Sequence, residues 1–261
     1  MKRKNQLLQQ SHAIRTFPIH IVKFLCDDFS LKEHDEVHPF KSRITEWIKP
    51  IIDLSEFSYL YPINGITEGL NYWLMQENRK VKTKIDDYAW VPQSNTGEVM
   101  YISCPSSIDG NYCNIPTDIP VVLDLAHVGS TSMQKIKISH NVEKVFFSLS
   151  KCFGLRNYRI GYYWSKTPDT LLDKLIGSGK YYNYHSMQLG EFIINQVQLD
   201  EVHNELFMYQ QTICDSLNFT PSDSVWLATT QNSEYDKFKR DTTNRINLSE
   251  LIKEDYYDRT F

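Results

Sequence analysis

Apolar positions between residues 59 and 164 follow the spacing of β-strands. Short runs rich in β-branched and aromatic residues recur there, and several are nearly continuously apolar, as strands covered on both faces are. The predicted strands are Tyr59–Ile63, Val81–Asp86, Glu98–Cys104, Val121–Leu125, Val142–Leu149 and Arg159–Trp164. This pattern predicts an α/β fold: a mainly parallel sheet with helices on both faces.

Helical spacing surrounds and interrupts these strands. Apolar residues recur at helical intervals over Lys41–Asp53, where Pro50 is expected to kink or end the helix, and again over Thr67–Asn78. Thr167, followed by proline and an acid, has the composition of a helix start. The residues 187–217 keep a near-helical period, which predicts one long helix or two.

The C-terminal part of the chain reads as a separate, reduced lobe. Two further strands, 225–230 and 245–248, predict a small α+β unit there. The chain contains no repeat and no linker-like segment, so any second lobe must be continuous with the first. We predict an N-terminal arm and helix over residues 1–50, a large domain over 51–180, and a connecting helix with the small lobe over 181–261.

Composition narrows the class of function. The net charge is −4 with both signs interspersed, so no basic stripe favours nucleic acid. The sequence contains no run of about 18 apolar residues, which a membrane-spanning helix needs. Its first residues carry no apolar signal-peptide core. We therefore expect a cytoplasmic protein that acts on a small molecule, without nucleic-acid or membrane partners.

The cysteines predict neither a disulfide framework nor a metal site. Their number is odd, and no two of them form a Cys-x-x-Cys pair. We interpret them as packed thiols in a reducing compartment, including the one that follows Lys151, and we predict no bound metal. They are Cys26, Cys104, Cys113, Cys152 and Cys214.

Chemistry-bearing side chains stand at the ends of predicted strands. Lys151 follows a buried strand, and burial lowers the pKa of a lysine, which favours the neutral amine needed for a Schiff base. Arg159 opens the next strand, and its planar guanidinium suits a phosphate. Asp124 ends another apolar strand, where burial demands a partner. Residues 64–69 form a turn that opens a helix, which favours an anion.

The segment Phe147–Tyr162 closely resembles the cofactor-lysine motif of fold-type I pyridoxal-phosphate (PLP) enzymes, the aspartate aminotransferase superfamily. The resemblance implies that Lys151 carries the cofactor as a Schiff base and that Ser148 and Arg159 hold its phosphate. The family usually has glycine where Asn157 stands. Asparagine tolerates positive φ, so we expect this turn to persist.

Two more segments fit the same family. The run 121–127 resembles the segment whose aspartate pairs with the protonated pyridine nitrogen, which assigns that role to Asp124. His127 stands where the family has a tyrosine bonded to the ring hydroxyl, and an imidazole there is expected to add a titration near neutrality. A packed histidine is the alternative. The resemblance also assigns phosphate contacts to Gly65, Ile66 and Thr67.

The remaining assignments rest on weaker matches. Residues 104–110 resemble a family loop with both asparagines replaced, which places Ser107 at the ring-hydroxyl contact. Tyr88 is slightly favoured over Trp90 for stacking on the pyridine ring; we expect the two to share a strand face, with the unused one in the core. Arg245, in a segment resembling Arg-Ile-Asn, is assigned to the substrate carboxylate.

The resemblance implies a shortened PLP-dependent aminotransferase that moves an amino group between an α-amino acid and a 2-oxo acid, and that forms a homodimer. Two alternatives stay open at this point. The same cofactor anchors permit a decarboxylase or lyase acting on an amino acid. The altered ring-hydroxyl contacts permit a degenerate, non-catalytic protein with the same fold.

Overall fold

The computed structural model describes residues 2–31, 39–179 and 182–258. The domain boundary predicted between residues 180 and 181 lies outside the described residues. The helices are α1 (Lys2–Gln9), α2 (His20–Asp28), α3 (Pro39–Ile48), α4 (Ile66–Gln76), α5 (Leu149–Cys152), α6 (Thr170–Gly179), α7 (Tyr184–Ile194), α8 (Glu201–Leu217) and α9 (Ser249–Asp258), with a 3₁₀ turn at Ser233–Phe238. The strands are β1 (Tyr59–Ile63), β2 (Val81–Thr83), β3 (Val99–Ser103), β4 (Val121–Asp124), β5 (Val142–Ser148), β6 (Gly161–Ser165), β7 (Thr220–Pro221), β8 (Leu227–Thr230), β9 (Lys239–Arg240) and β10 (Thr243–Asn247).

Six strands form the main sheet in the order β1-β6-β5-β4-β3-β2. The pairs from β2 through β5 are parallel, whereas β6 runs antiparallel to both β5 and β1. Five strands therefore share one direction and β6 alone is reversed. The predicted α/β class with a mainly parallel sheet is confirmed.

Side chains that alternate along the central strands fill two separate cores. Phe146 packs in the cluster that contains Leu70 and Trp73 of α4, whereas its neighbour Phe147 packs in the cluster that contains Met187 of α7. Successive strand residues point to opposite faces, so each face needs its own helical cover. Burying one such large apolar side chain stabilises the fold by about 1.5–3 kcal/mol. The prediction of helices on both faces is confirmed.

Several element ends differ from the sequence prediction for local reasons. The strand predicted to run through Asp86 ends at Thr83, and Asp86 takes a left-handed φ of 65°. The helix expected to start at Thr167 starts at Thr170 instead. Asp169 is its cap, because the Oδ1 of Asp169 accepts from the amides of Leu171 and Leu172 at 3.1 and 3.0 Å. The near-helical spacing of apolar residues over 187–217 belongs to two helices, α7 and α8.

The C-terminal strands form a second, antiparallel sheet in the order β7-β8-β10-β9. This sheet meets α5 through Trp226, the residue before β8, whose indole donates to the carbonyl oxygen of Lys151 at 2.9 Å. The N-terminal segment joins the same junction, since Phe17 meets the Trp226 ring edge-on at 5.2 Å. Residues from three parts of the chain therefore fix the backbone around Lys151.

Candidate active site

The reversed strand β6 decides which residues meet at one edge of the sheet. Because β6 runs antiparallel to β5, the end of β5 and the start of β6 lie together, with Ser148 paired to Gly161. Lys151 follows β5 in the short helix α5, and Arg159 precedes β6. Asp124 ends the parallel neighbour β4 at the same edge. An amine, a guanidinium and a carboxylate from separate chain segments thus converge, at the edge where open α/β sheets bind ligands.

A cavity of about 160 Å³ opens at this edge. Every residue that the sequence predicts to contact the cofactor lines this cavity: Gly65, Ile66, Thr67, Tyr88, Ser107, Asp124, His127, Ser148, Lys151 and Arg159. Four lining residues were not predicted: Tyr101, Ser103, Ala126 and Ser150. The two residues predicted to be catalytic, Lys151 and Asp124, therefore share one cavity.

The Lys151 amine lies in a desolvated environment that contains charges of both signs. Burial lowers its pKa to about 8, the negative charge of Asp124 partly opposes this shift, and the positive charges of Arg245 and Arg240 add to it. Its Nζ lies 3.2 Å from Nε2 of His127. A substantial fraction of the amine is therefore neutral near pH 8, which nucleophilic chemistry at Nζ requires.

His127 is fully buried and neutral. Burial holds the pKa of its imidazole well below the usual range, and the neighbouring charge of Lys151 acts in the same direction. Its Nδ1 lies 3.4 Å from the hydroxyl of Ser224, which in turn lies 2.9 Å from the hydroxyl of Ser130. The expected titration of His127 near neutrality is wrong, because desolvation penalises the imidazolium.

Asp124 is a buried carboxylate with a protein donor on each oxygen. Its Oδ2 accepts from the hydroxyl of Tyr101 at 2.7 Å, and its Oδ1 accepts from the amide of Ala126 at 2.7 Å. Burial raises the pKa of Asp124, while the Tyr101 hydroxyl and the Lys151 charge oppose that shift. Each carboxylate oxygen keeps a further lone pair for a cationic donor from the cavity.

Gly65 and Arg159 form the polar mouth of the cavity. Gly65 has φ 83°, and a Cβ there would lie 2.6 Å from Nη2 of Arg159. The same Arg159 nitrogen donates to the carbonyl of Asn64 at 2.9 Å. On the other side, a Cβ on Gly161 would lie 2.8 Å from Cα of Gly65. Glycine is required at position 65 by its positive φ and at position 161 by the close approach of the Gly65 backbone.

The backbone before β6 differs from the expectation for Asn157. The left-handed residues of this turn are Gly154, with φ 71°, and Arg159, with φ 57°; Asn157 is not among them. Asparagine at the family's glycine position therefore needs no special conformation here. The strain falls on Arg159, where a left-handed conformation costs about 1–2 kcal/mol for a non-glycine residue.

Ser107 lies in the cavity wall but its hydroxyl is committed to the protein. The hydroxyls of Ser103 and Ser107 both donate to Oδ1 of the buried Asp87 at 2.6 Å. The amide of Ser107 donates to the hydroxyl of Ser103 at 2.7 Å. Ser107 can therefore only accept a hydrogen bond from a ligand while this network is intact.

The two aromatic candidates for ring stacking occupy different places. Tyr88 lines the cavity and its hydroxyl lies 2.9 Å from that of Thr67. Trp90 is 55% exposed and donates to Asn71 at 2.7 Å. The expectation that the two share a strand face, with the unused one in the core, is wrong, because β2 ends before them and the segment turns.

Arg245 lies beside the cavity and is not among its lining residues. Its two Nη groups donate to the carbonyl oxygens of Ser107 and His12 at 2.7 and 2.8 Å. Its Nε is buried without a hydrogen-bond partner in the described part of the chain, and no carboxylate there forms an ion pair with it. Burial, together with the charge of Arg240, lowers the pKa of Arg245 to about 9.

Comparison with solved structures gives consistent matches along nearly the whole chain. The C-S lyase of Staphylococcus hominis, solved with PLP, matches at a TM-score of 0.65 and 11% identity, with 96% of this chain and 89% of that chain covered. Histidinol-phosphate aminotransferase of Sinorhizobium meliloti, in complex with PLP, matches at 0.65 and 13%, with 93% and 90% covered. This chain has the fold of these enzymes.

Cystalysin of Treponema denticola, whose structure contains PLP, also shares this fold, at a TM-score of 0.64 and 10% identity, with 97% of this chain and 93% of that chain covered. No family model and no curated protein matches the sequence. At such low identity the likeness is one of fold alone.

Sequence reasoning missed the residues that support the predicted ones. Tyr101 holds Asp124, Asp87 holds Ser107, and Ser224 lies against His127. Tyr101 sits in an apolar strand and looks like a core aromatic. Asp87 carried a usable signal, because an acid next to the cavity tyrosine Tyr88 must find partners if it is buried.

Within residues 2–31, 39–179 and 182–258, no three His, Cys, Asp or Glu side chains are grouped so that they could hold a metal ion. Across the same ranges, no helix combines the length and the apolar character needed to cross a membrane.

Proposed function

We propose that this chain binds pyridoxal 5'-phosphate covalently at Lys151 and transfers an amino group between an α-amino acid and a 2-oxo acid. The observation that carries the proposal is the shared cavity of Lys151, Asp124 and the Gly65–Arg159 mouth. Its amine, carboxylate and guanidinium match the aldehyde, the pyridine nitrogen and the phosphate of this cofactor.

The mouth of the cavity fits a phosphate group. The glycine at position 65 leaves room beside the Arg159 guanidinium that a Cβ would fill. Ser150 adds a hydroxyl, whose Oγ is buried without a hydrogen-bond partner among the described residues. A phosphate oxygen would satisfy this orphaned donor. Guanidinium and hydroxyl donors to a phosphate are charge-assisted and worth about 1.5–3 kcal/mol each.

The inner wall fits the ring. Bound PLP supplies an electron sink that stabilises negative charge at the substrate Cα. Asp124 would hold the proton on the ring nitrogen, because burial makes its carboxylate a stronger base and Tyr101 fixes its orientation. Tyr88 supplies an aromatic face at the same cavity.

Lys151 would act as the proton carrier of the reaction. Once the amino group of the substrate has replaced Lys151, the free Nζ of Lys151 would take the proton from the substrate Cα. His127 would stay neutral at 3.2 Å from Nζ and would orient the amine without competing for the proton. Burial, which keeps the pKa of Lys151 at about 8, suits both roles.

Arg245 would bind the α-carboxylate of the substrate. Its guanidinium is buried, has no ion-pair partner in the described residues and keeps an unused Nε–H. Its Nη groups hold main-chain carbonyls, so a two-pronged contact would require the carbonyl of His12 to give way. The N-terminal segment would then move when substrate binds.

A β-elimination of sulfur-bearing amino acids is the second candidate. The supporting observation is that the C-S lyase of Staphylococcus hominis matches this fold as closely as the histidinol-phosphate aminotransferase does. The anchors at Lys151 and Asp124 serve both reactions, because they act before the reaction paths divide. Decarboxylation uses the same anchors, but no structural feature favours it.

Cofactor attachment is tested by reconstituting the purified protein with PLP, reducing it with borohydride and mapping the labelled peptide. We expect visible absorbance and a label on Lys151, both lost in Lys151→Ala. Lys144→Ala is the matched control, because Lys144 is a partly buried lysine of β5 outside the cavity, and it should retain both. A label on another lysine, or none, contradicts the proposal.

The type of reaction is tested by product analysis. For transamination, we expect an amino acid to remove the visible absorbance of the PLP-loaded protein and a 2-oxo acid to restore it. Ammonia with a thiol would identify a lyase, and carbon dioxide a decarboxylase. A loaded protein that gives none of these products would be a non-catalytic member of this fold.

Three broader expectations belong to the same proposal. We infer a cytoplasmic homodimer, in keeping with a small-molecule enzyme of this fold, and sedimentation tests the oligomeric state. The division into residues 1–50, 51–180 and 181–261 stays a prediction, which limited proteolysis tests.

A further inference from the structure

Cys104 and Cys113 face each other across a tight reversal of the chain. The amide of Ser106 donates to the carbonyl of Asn111 at 2.8 Å, and Cys104 and Cys113 stand two residues outward from this bond on either side. The thiol of Cys104 contacts the carbonyl of Cys113 at 3.4 Å, and the thiol of Cys113 contacts the carbonyl of Ser103 at 3.4 Å. Each cysteine side chain therefore contacts the main chain of the opposite segment.

The pair opens onto a cavity of its own. A space of about 640 Å³ is lined by both cysteines together with Tyr112, Lys135 and Lys137, and it shares no lining residue with the candidate active site. Small solutes therefore have a route to the pair through this space, in whose wall Cys113 is half-buried and Cys104 is 1% exposed. The other cysteines do not line this space.

The two thiols differ in acidity. The pKa of Cys104 is lowered, chiefly by its contact with the side chain of Cys113, and the charge of Lys84 adds a smaller effect in the same direction. The pKa of Cys113 is raised by its contact with the Cys104 side chain and by burial. Of the two thiols, Cys104 is therefore the one that loses its proton more readily.

We propose that Cys104 and Cys113 form a reversible disulfide whose oxidant is a small hydroperoxide. The Cys104 thiolate attacks the outer peroxide oxygen, the O–O bond breaks, an alcohol or water leaves, and Cys104 becomes a sulfenic acid. The Cys113 sulfur then attacks that sulfur, the S–O bond breaks and water leaves. Two thiols are oxidised by one peroxide, and a dithiol reductant reverses the change.

The position of the pair links it to the active-site wall. The reversal between the two cysteines carries Ser107, and Ser103, whose carbonyl receives the Cys113 thiol, lines the active-site cavity. Closing the disulfide removes both thiol donors from this segment. The proposal concerns the thiols themselves and does not depend on a bound cofactor.

The test treats the full-length protein with hydrogen peroxide, blocks and counts free thiols after unfolding, and maps peptides without reduction. We expect the count to fall from five to three, with one peptide pair joined through Cys104 and Cys113 and released by dithiothreitol. Cys26→Ser is the matched control, because Cys26 is a half-buried thiol outside this cavity, and it should retain the disulfide.

The variants assign the two roles. Cys113→Ser should leave a sulfenic acid on Cys104 that dimedone traps, whereas Cys104→Ser should react with peroxide at least about tenfold more slowly. An unchanged count of five thiols in the wild-type protein overturns the proposal. A disulfide that involves any other cysteine, or equal reactivity of the two single variants, overturns it as well.

Discussion

The cavity has two walls whose polar groups are satisfied in different ways. The first, the anchor wall, consists of Gly65, Asp124, Ser150, Lys151 and Arg159. In this wall, the Lys151 amine has a lowered pKa and the Ser150 hydroxyl has no hydrogen-bond partner among the described residues. The Arg159 guanidinium donates to the carbonyl of Asn64, and the Asp124 carboxylate keeps lone pairs for a ligand. Such unused bonding capacity at a cavity surface is costly unless a ligand meets it.

The second, the serine wall, consists of Ser103 and Ser107 with the buried Asp87 that binds both hydroxyls. Its donors already have protein acceptors, so this wall can stay closed without a ligand. Lining a cavity and being prepared for a ligand are therefore separate properties. Substitutions in the anchor wall should affect chemistry, and those in the serine wall should affect folding.

The largest expected effect is on catalysis in the anchor wall. Asp124→Asn removes the charge that would hold the ring proton, so amino-group transfer should fall by a factor on the order of 10²–10³ in kcat. Single-turnover kinetics of the loaded protein measure this. A variant with wild-type kcat would show that Asp124 does not serve the ring.

Asp87→Asn is the counterpart in the serine wall. Its carboxylate accepts from two hydroxyls and from the amides of Tyr88 and Ser103. An amide in its place brings unpaired donors into a buried site, so the free energy of unfolding should fall by about 2–3 kcal/mol. Urea denaturation of the protein without cofactor measures this. If stability were unchanged, the division into two walls would be wrong.

The next effect is on cofactor affinity at the mouth. Gly65→Ala places a Cβ 2.6 Å from Nη2 of Arg159 and strains a backbone at φ 83°. Gly65→Ala and Arg159→Gln should each weaken PLP binding about 10- to 100-fold, the value of one charge-assisted hydrogen bond. Fluorescence titration measures the dissociation constant.

Gly177→Ala is the control for this pair. Gly177 lies in α6, and a Cβ there meets no atom within 4 Å. The substitution should leave PLP affinity unchanged and stabilise the helix by roughly 0.5–1 kcal/mol. Equal weakening by both glycine variants would indicate a general loss of structure instead of a phosphate site at Gly65.

A moderate effect is expected from pH. Only the neutral amine of Lys151 can attack an aldehyde, and burial lowers the pKa of that amine to about 8. The rate of PLP uptake by the cofactor-free protein should therefore rise about tenfold from pH 7 to pH 9 and level off above that. Stopped-flow absorbance measures it. A midpoint near 10 would mean that Lys151 is not desolvated.

The smallest effect is expected at Ser107. Ser107→Ala removes one of several donors to Asp87 while the network around Ser103 persists. The free energy of unfolding should fall by about 1 kcal/mol, and the transfer rate should change by less than about fivefold. Thermal denaturation and steady-state kinetics measure both. A larger loss of rate would move Ser107 into the anchor wall.

The alternation of apolar strands and helices, and the positions of polar residues at strand ends, can be predicted from sequence patterns. Strand β1 has its predicted bounds, β4 ends at Asp124, and β5 ends at Ser148, three residues before Lys151. These features are local: the period of the side chains fixes the element, and a polar residue after an apolar run fixes its end.

The charge states and hydrogen-bond partners of those residues depend on tertiary contacts. The pKa of His127 is far from neutrality because distant segments bury it, and Asp124 is held by Tyr101, a residue that reads as an ordinary core aromatic. The reversed direction of β6, which brings Arg159 to the edge of Lys151, has no signature in the period of its side chains. Burial and partner choice depend on which segments meet, and a pattern along one chain does not contain that information.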